Sequence, residues 1–334
     1  MNKICFGCGA KLQSVDKEKI GYIPENKIDN SSYCMRCFRM IHYGEQVVVN
    51  TPKDKKEIVN KINKDNKFVI FLVDFLNINK DIMDFYKGIK KEKLLVINKC
   101  ELIPKHVKKE NFRNYIKEEY GINGEIKLKG GTITHGAKSI LNYLEKNNIK
   151  ETYVVGITNA GKSTLINDLI KETNTDVSTI TVNNKKNTTI DFIRVKLKNG
   201  ITLIDSPGIV FDDFISNDVV DKDIEATTFN MKESETLSIF DNKFYIKVNK
   251  PTSLTIYTNV VARKIAHKVF KKELELNNNL KIKDNSDIIL KGLGFISIKN
   301  ETDIETNIDS KYIEVRNSMF GRVYENSSNE WWFS

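Results

Sequence analysis

The stretch that most constrains this chain is Gly156-Ile157-Thr158-Asn159-Ala160-Gly161-Lys162-Ser163. It follows Thr152-Tyr153-Val154-Val155, an apolar run short enough for a buried strand. It precedes Thr164-Leu165-Ile166-Asn167-Asp168-Leu169-Ile170, whose apolar residues recur with helical spacing. A G-x4-G-K-S run between a strand and a helix wraps phosphates: the glycines let the loop turn its own N–H groups inward, and the helix N-terminus adds positive potential. Lys162 is then placed to bridge β- and γ-phosphate oxygens, and the Ser163 hydroxyl to ligate Mg²⁺. The spacing predicts an α/β nucleotide-binding fold with Gly156, Asn159, Ala160, Gly161, Lys162, Ser163 and Thr164 against the nucleotide.

Two further motifs bear on which nucleotide. Asp205-Ser206-Pro207-Gly208 follows Ile201-Thr202-Leu203-Ile204. An aspartate at a strand's C-terminal end can hold Mg²⁺ through water, and Gly208 offers an amide to a γ-phosphate. Upstream, Leu94-Leu95-Val96-Ile97 ends in Asn98-Lys99-Cys100-Glu101, which resembles the N-K-x-D guanine motif of GTPases. In that motif a carboxylate accepts two hydrogen bonds from guanine and the lysine stem packs on the base. Adenine shows no such donor pair, so the motif selects GTP and GDP; an ATP-dependent enzyme is a competing reading. Glu101 stands where aspartate is expected. The guanine motif precedes the phosphate loop, and D-x-x-G comes last, so the order is circularly permuted relative to a small GTPase. Such permutation is tolerable because domain termini usually lie close together. Strands expected at 68–73, 94–97, 152–155, 189–197 and 201–204 suffice for one doubly wound, mostly parallel sheet with the nucleotide at its C-terminal edge. Ile209 follows Gly208, where Ras-type GTPases place a water-orienting glutamine. Slow intrinsic hydrolysis is expected, and a non-hydrolysing nucleotide-binding scaffold for RNA or protein is the alternative.

Four of the five cysteines form two pairs of identical spacing, Cys5-x2-Cys8 and Cys34-x2-Cys37. This pattern predicts a structural four-thiolate zinc site rather than a catalytic one, since four thiolates leave no open position for water. Cys100 stands alone inside the guanine motif. Hydrophobic residues at 40% and charged residues at 29% exclude wholesale disorder and fibrous classes. The longest apolar run, 68–73, is far short of the roughly 20 residues a membrane span needs. The N-terminus shows no secretory pattern, so the expected compartment is the cytoplasm. The net charge is +9, from 53 Lys and Arg against 44 Asp and Glu. Residues 241–300 carry 12 basic and 5 acidic groups. Within them Val261, Ile265 and Val269 recur every four residues beside Arg263, Lys264, His267, Lys268, Lys271 and Lys272. A helix with that split can pack on a sheet and present cations to RNA phosphates, which predicts a mixed α+β C-terminal domain.

Taken together, the paired cysteines, Asn98-Lys99, the loop Gly156 to Ser163, Asp205 to Gly208 and Gly292-Leu293-Gly294-Phe295 resemble the bacterial YqeH-type circularly permuted GTPases. That resemblance spans nearly the whole chain. It implies a zinc-finger domain at 1–48, a permuted GTPase domain at 49–215 and a C-terminal RNA- or ribosome-binding domain at 216–334. It also implies GTP/GDP and Mg²⁺ as ligands, and assembly of the small (30S) ribosomal subunit as the setting, with rRNA as partner. No membrane partner and a monomeric state are expected. By the same resemblance Thr189, or its neighbour Thr188, supplies the Mg²⁺-binding threonine of switch I, and Asn159 is placed to help bind K⁺. Gly130-Gly131-Thr132 with Gly136 occupies the position of the family's guanine-stacking Ser-Ala loop. The expected catalytic set is Lys162, Thr189, Asp205 and Gly208.

Overall fold

Val69 to Asp74 are six consecutive buried residues of strand β1 (Phe68–Asp74), and they set the architecture. A strand buried on both faces reads as a continuous apolar run, which is the signature of a covered parallel sheet. Strands β2 (Lys93–Asn98) and β4 (Glu151–Gly156) repeat the pattern on either side. The computed structural model describes residues 3, 5, 11–16, 21–28, 31–35, 38, 55–105, 107–130, 136–175, 192–215, 226–240, 242–265 and 275–320. Its helices are α1 (Lys55–Lys64), α2 (Lys80–Gly88), α3 (Lys109–Tyr120), α4 (Gly136–Lys146) and α5 (Lys162–Glu172). The chain divides into two compact units: 1–74, 85–100 and 124–210 form the first, and 75–84, 101–123 and 211–334 the second.

In the first unit, β3 (Ile126–Leu128), β5 (Ile193–Lys196) and β6 (Thr202–Asp205) complete a six-stranded sheet of order β3-β2-β1-β4-β6-β5. All pairings are parallel except β5 with β6. The register sets Asp74 opposite Asn98, Leu72 opposite Gly156 and Val154 opposite Asp205. Parallel strands end on one side, so the guanine motif, the phosphate loop and the D-x-x-G segment leave the sheet at the same edge. The strand expected at 189–197 is shorter: β5 stops at Lys196, where the Leu197 N–H donates to Ile201 O at 2.7 Å and closes a hairpin turn. Residues 189–191 lie outside the described residues.

At the N-terminus, Cys5, Leu12, Ile23 and Cys34 form a small buried cluster with Ile28 and Tyr33 packed against it. Gln13 bridges Tyr22, and the Met35 N–H donates to Tyr22 O at 2.7 Å.

The second unit differs from expectation. Among its described residues, 226–320 hold a single 3-10 turn and ten strands: β7 (Thr227–Met231), β8 (Thr236–Ile239), β9 (Phe244–Val248), β10 (Thr252–Thr258), β11 (Ala262–Ile265), β12 (Asn278–Ile282), β13 (Ser286–Leu290), β14 (Gly294–Ile298), β15 (Thr302–Thr306) and β16 (Ile313–Asn317). These form two antiparallel sheets, β16-β13-β14-β10-β7 and β11-β8-β9-β15-β12. Their shared apolar core includes Leu237, Ile246, Leu254, Ile288, Ile296 and Ile304. The helix expected from Val261 onward begins instead as strand β11 (Ala262–Ile265), paired with β8 (Thr236–Ile239). A spacing of four places side chains on one face of a strand as well as of a helix, so Val261, Ile265 and Val269 could not discriminate the two. Residues 266–274 lie outside the described residues. Helix α3 belongs to this unit and buries Phe112, Tyr115, Ile116 and Tyr120, with the Tyr115 hydroxyl donating to Asn317 O at 2.6 Å. Tyr257 stacks on Phe295 at 4.7 Å between centroids, and Phe75 meets Phe295 edge-on at 5.5 Å.

Candidate nucleotide site

The loop between β4 and α5 is shaped by its neighbours. Gly161 has φ +92°, and a Cβ there would stand 2.2 Å from Asn98 Nδ2. The Asn98 amide in turn donates to Ala160 O at 2.9 Å. The guanine motif is thereby tied to the phosphate loop across 62 positions of sequence. Asn98 and Ala160 are buried. Asn159 is exposed and adopts φ +65°, a conformation asparagine tolerates better than most residues.

The polar groups buried at this edge of the sheet include Lys162 at 2% exposure, Ser163 at 3% and Asp205 at 6%. The Lys162 ammonium donates to Gly156 O at 3.0 Å and to Ile157 O at 3.1 Å. Burial pushes its pKa down to about 8, with the charge of Asp205 opposing. Ser163 Oγ has no hydrogen-bond partner among the described residues. Burying such groups costs free energy unless a ligand compensates. A hydroxyl and a carboxylate are hard oxygen donors of the kind Mg²⁺ takes, so Ser163 and Asp205 would hold that ion beside a nucleotide. An ammonium bonded to loop carbonyls can turn to phosphate oxygens when they arrive.

The segment after Gly208 lies on the phosphate loop. Ile209, 2% exposed, forms an isolated parallel bridge with Ile157. Its N–H donates to Gly156 O at 3.1 Å, and its carbonyl accepts from Thr158 N at 2.9 Å and Thr158 Oγ1 at 3.3 Å. Main-chain bonds thus link the segment after Gly208 to the loop, a feature no side-chain motif announces.

Of the remaining expected residues, Gly208 is half-buried, and Thr164 is exposed on the first turn of α5. Lys99 is half-buried with φ +59°, and Glu101 is exposed on the 3-10 turn Cys100–Leu102. Thr188 and Thr189 lie outside the described residues, as do Cys8 and Cys37. Cys5 and Cys34 are buried, and the Cys34 N–H points at Cys5 Sγ at 3.1 Å, as amides do toward ligating sulfurs. Among the described residues no group of three or more His, Cys, Asp or Glu could hold a metal. No described helix is long and apolar enough to cross a membrane. Outside the expected set, Lys129 Nζ pairs with Asp168 Oδ2 at 2.8 Å. Its one sequence signal is a lysine directly before Gly130-Gly131.

Comparison with known proteins agrees with this geometry. A family model described as "RsgA GTPase" matches residues 43–214, and one described as "50S ribosome-binding GTPase" matches 151–290. The chain is 31% identical over 252 residues to "Uncharacterized protein YqeH" of Bacillus subtilis, covering 70% of this chain and 69% of that one. It is 31% identical over 138 residues to "Nuclear GTP-binding protein NUG1" of Saccharomyces cerevisiae, covering 36% of this chain and 26% of the relative. "GTPase grn1" of Schizosaccharomyces pombe is 32% identical over 147 residues, covering 39% of this chain and 31% of the relative.

Proposed function

The chain belongs to the RsgA GTPase family, as a circularly permuted GTP hydrolase, and from that premise we propose that it is a slow GTP-driven switch in assembly of the small ribosomal subunit. GTP or GDP with Mg²⁺ are the ligands of such families. The observation that carries the reading is the convergence of Asn98, the Gly156 to Ser163 loop, Asp205 and the Ile209 bridge at one sheet edge. In this reading Lys162 neutralises the β- and γ-phosphates, Ser163 and Thr189 (or Thr188) with Asp205 hold Mg²⁺, and the Gly208 amide meets the γ-phosphate. The loop amides from Gly156 to Thr164 cradle the phosphates, while Asn98, Lys99 and Glu101 hold the guanine. Ile209 can only exclude water, not orient it, which keeps turnover slow. Asn159, exposed at the loop, contributes to a K⁺ site; turnover equal in K⁺ and Na⁺ would remove that role.

The zinc site, the RNA contact and the cytoplasmic setting belong to the same proposal. It divides the chain at 48/49 and 215/216. The buried Cys5–Cys34 contact supports four-thiolate zinc ligation completed by Cys8 and Cys37. The basic residues of 241–300 support an rRNA surface. The family whose model matches residues 151–290 is described as binding the 50S ribosome, so a 50S partner is the second reading. The deciding experiment sediments the zinc-replete protein with isolated 30S and 50S subunits, loaded with GDP or a non-hydrolysable GTP analogue. Co-migration with 30S in the GTP form alone is expected. Co-migration with 50S would replace the small-subunit assignment, and no association in either state would end the ribosomal reading.

A further inference from the structure

Between the guanine motif and the helix after the phosphate loop lies a side chain that none of the motifs covers. Lys129 follows the last residue of β3, and its backbone is bonded on both sides to the segment that carries Asn98 and Lys99. The Lys129 N–H donates to Ile97 O at 2.8 Å, and Lys129 O accepts the Cys100 N–H at 3.0 Å. The side chain then runs across the start of α4: a Cβ at Gly136 would stand 3.1 Å from both Lys129 Cα and Cγ. Its ammonium ends on Asp168 Oδ2 at 2.8 Å, with Lys129 only 12% exposed and Asp168 32%. Asp168 lies within α5, six positions after Lys162.

We propose that Lys129, held by Asp168, is a positioning residue for guanine recognition. The inference rests on the GTPase reading above and deepens it. Gly130 and Gly131 directly follow Lys129 where the family resemblance places a Ser-Ala loop, so the first two positions after Lys129 carry no side chain. An ion pair shielded on the lysine side is less screened than an exposed one and fixes the geometry of both partners. Lys129 thus links the turn at 97–100, the start of α4 and helix α5. Base contacts depend on tenths of an ångström in such turns, while the phosphate cradle is set by the 156–163 loop itself. The pair should therefore act on the base more than on the phosphates.

The test measures GDP and ADP affinities of the full, zinc-replete chain by competition with a fluorescent guanine nucleotide. The variants are Lys129→Met, which keeps the aliphatic stem, Asp168→Asn and the conservative Lys129→Arg. Lys129→Met and Asp168→Asn should each weaken GDP roughly three- to tenfold while ADP moves by less than about twofold; Lys129→Arg should stay near wild type. GDP and ADP affinities that fall together would mark a merely structural pair and overturn the inference. So would unchanged GDP affinity in folded variants. A wild type that binds no GDP would instead sink the nucleotide reading itself, and the inference with it.

Discussion

Lys162 and Arg316 are both buried cations, 2% and 5% exposed, but they keep different company in different compact units. Arg316 donates Nε to Asp287 Oδ2 at 3.2 Å and Nη1 to Ile78 O and the Tyr120 hydroxyl, and its guanidinium lies 4.9 Å over the Phe295 ring. Asp287 also accepts the Met319 N–H at 3.0 Å. Here a cation meets a fixed counter-charge within an aromatic core, and the arrangement joins strands, helix α3 and the 75–84 segment of one unit. Lys162 instead rests on two loop carbonyls, with its pKa drawn down by burial. The contrast separates a charge buried for architecture from a charge buried for a ligand. A paired ion is costly to disturb and has little left to offer; a cation held by neutral oxygens is poised to exchange them for an anion.

The largest effect should come from breaking the architectural pair. Arg316→Met leaves Asp287, which is fully buried, without its cation and should cost about 3–5 kcal/mol. Denaturant unfolding followed by a probe in the second unit would report it; a loss under about 1 kcal/mol would show that the pair is not structural. Lys162→Ala reverses the pattern. It should leave the melting temperature unchanged or raised, because the desolvation of a buried charge, which the charge of Asp205 only partly offsets, is removed. Affinity for GTP should fall on the order of 100-fold, close to 2.7 kcal/mol. Unfolding of this variant, or GTP affinity within a few-fold of wild type, would erase the distinction between the two cations.

A smaller effect sharpens the comparison through pH. In the free protein Lys162 is charged below about 8 and neutral above it. Bound phosphate favours the ammonium, so above that pH binding must first take up a proton. GDP affinity should be flat from neutrality to about pH 8 and then weaken, by at most tenfold per pH unit. Calorimetry in buffers of differing ionisation enthalpy should show proton uptake at about pH 8.5–9 and much less at about pH 7. Uptake that is the same at both pH values would mean that Lys162 does not titrate on binding.

The same contrast explains what the sequence disclosed. Phosphate binding needs a short run of residue types in fixed local order, so Gly156 to Ser163 was legible at once, as were Asn98 and Asp205 at strand ends. The shared sheet edge followed from the apolar runs of β1, β2 and β4. What stayed hidden depends on partners distant in sequence. The bond from Asn98 to Ala160 spans 62 positions, and the Lys129–Asp168 pair joins elements with no common motif. In the C-terminal unit the spacing of Val261, Ile265 and Val269 satisfied two periodicities, and only the pairing of β11 with β8 chose between them. Nor could the sequence show that the carbonyl of Ile209 would accept from Thr158, because main-chain bonds leave no mark in residue type.

The smallest predicted effect lies in the first half of β4, where a polar pair performs architecture inside the nucleotide-binding unit. The Tyr153 hydroxyl donates to Asp65 Oδ2, and Asp65 also meets Lys67 at 3.3 Å. The Tyr153 ring packs edge-on against Phe192 at 5.3 Å. The hydroxyl, ahead of Lys67, holds the Asp65 carboxyl below its usual range, with burial pulling the other way. A carboxylate with a lowered folded pKa adds stability above its unfolded pKa, and that contribution is lost as pH falls through the folded value. Tyr153→Phe removes the hydroxyl and keeps the ring contact. It should therefore cost about 1 kcal/mol at neutral pH and less at strongly acidic pH, where wild-type Asp65 is already protonated. GDP affinity should not change, since Tyr153 lies three residues before Gly156 and its hydroxyl bonds Asp65 rather than the loop. Parallel denaturation curves at pH 7 and at pH values well below the ordinary carboxylate range decide it. A difference between wild type and variant that is as large in acid as at neutrality would show that the bond does not depend on the charge of Asp65. A loss of GDP affinity would show that architecture and ligand binding are not separable even within this one strand.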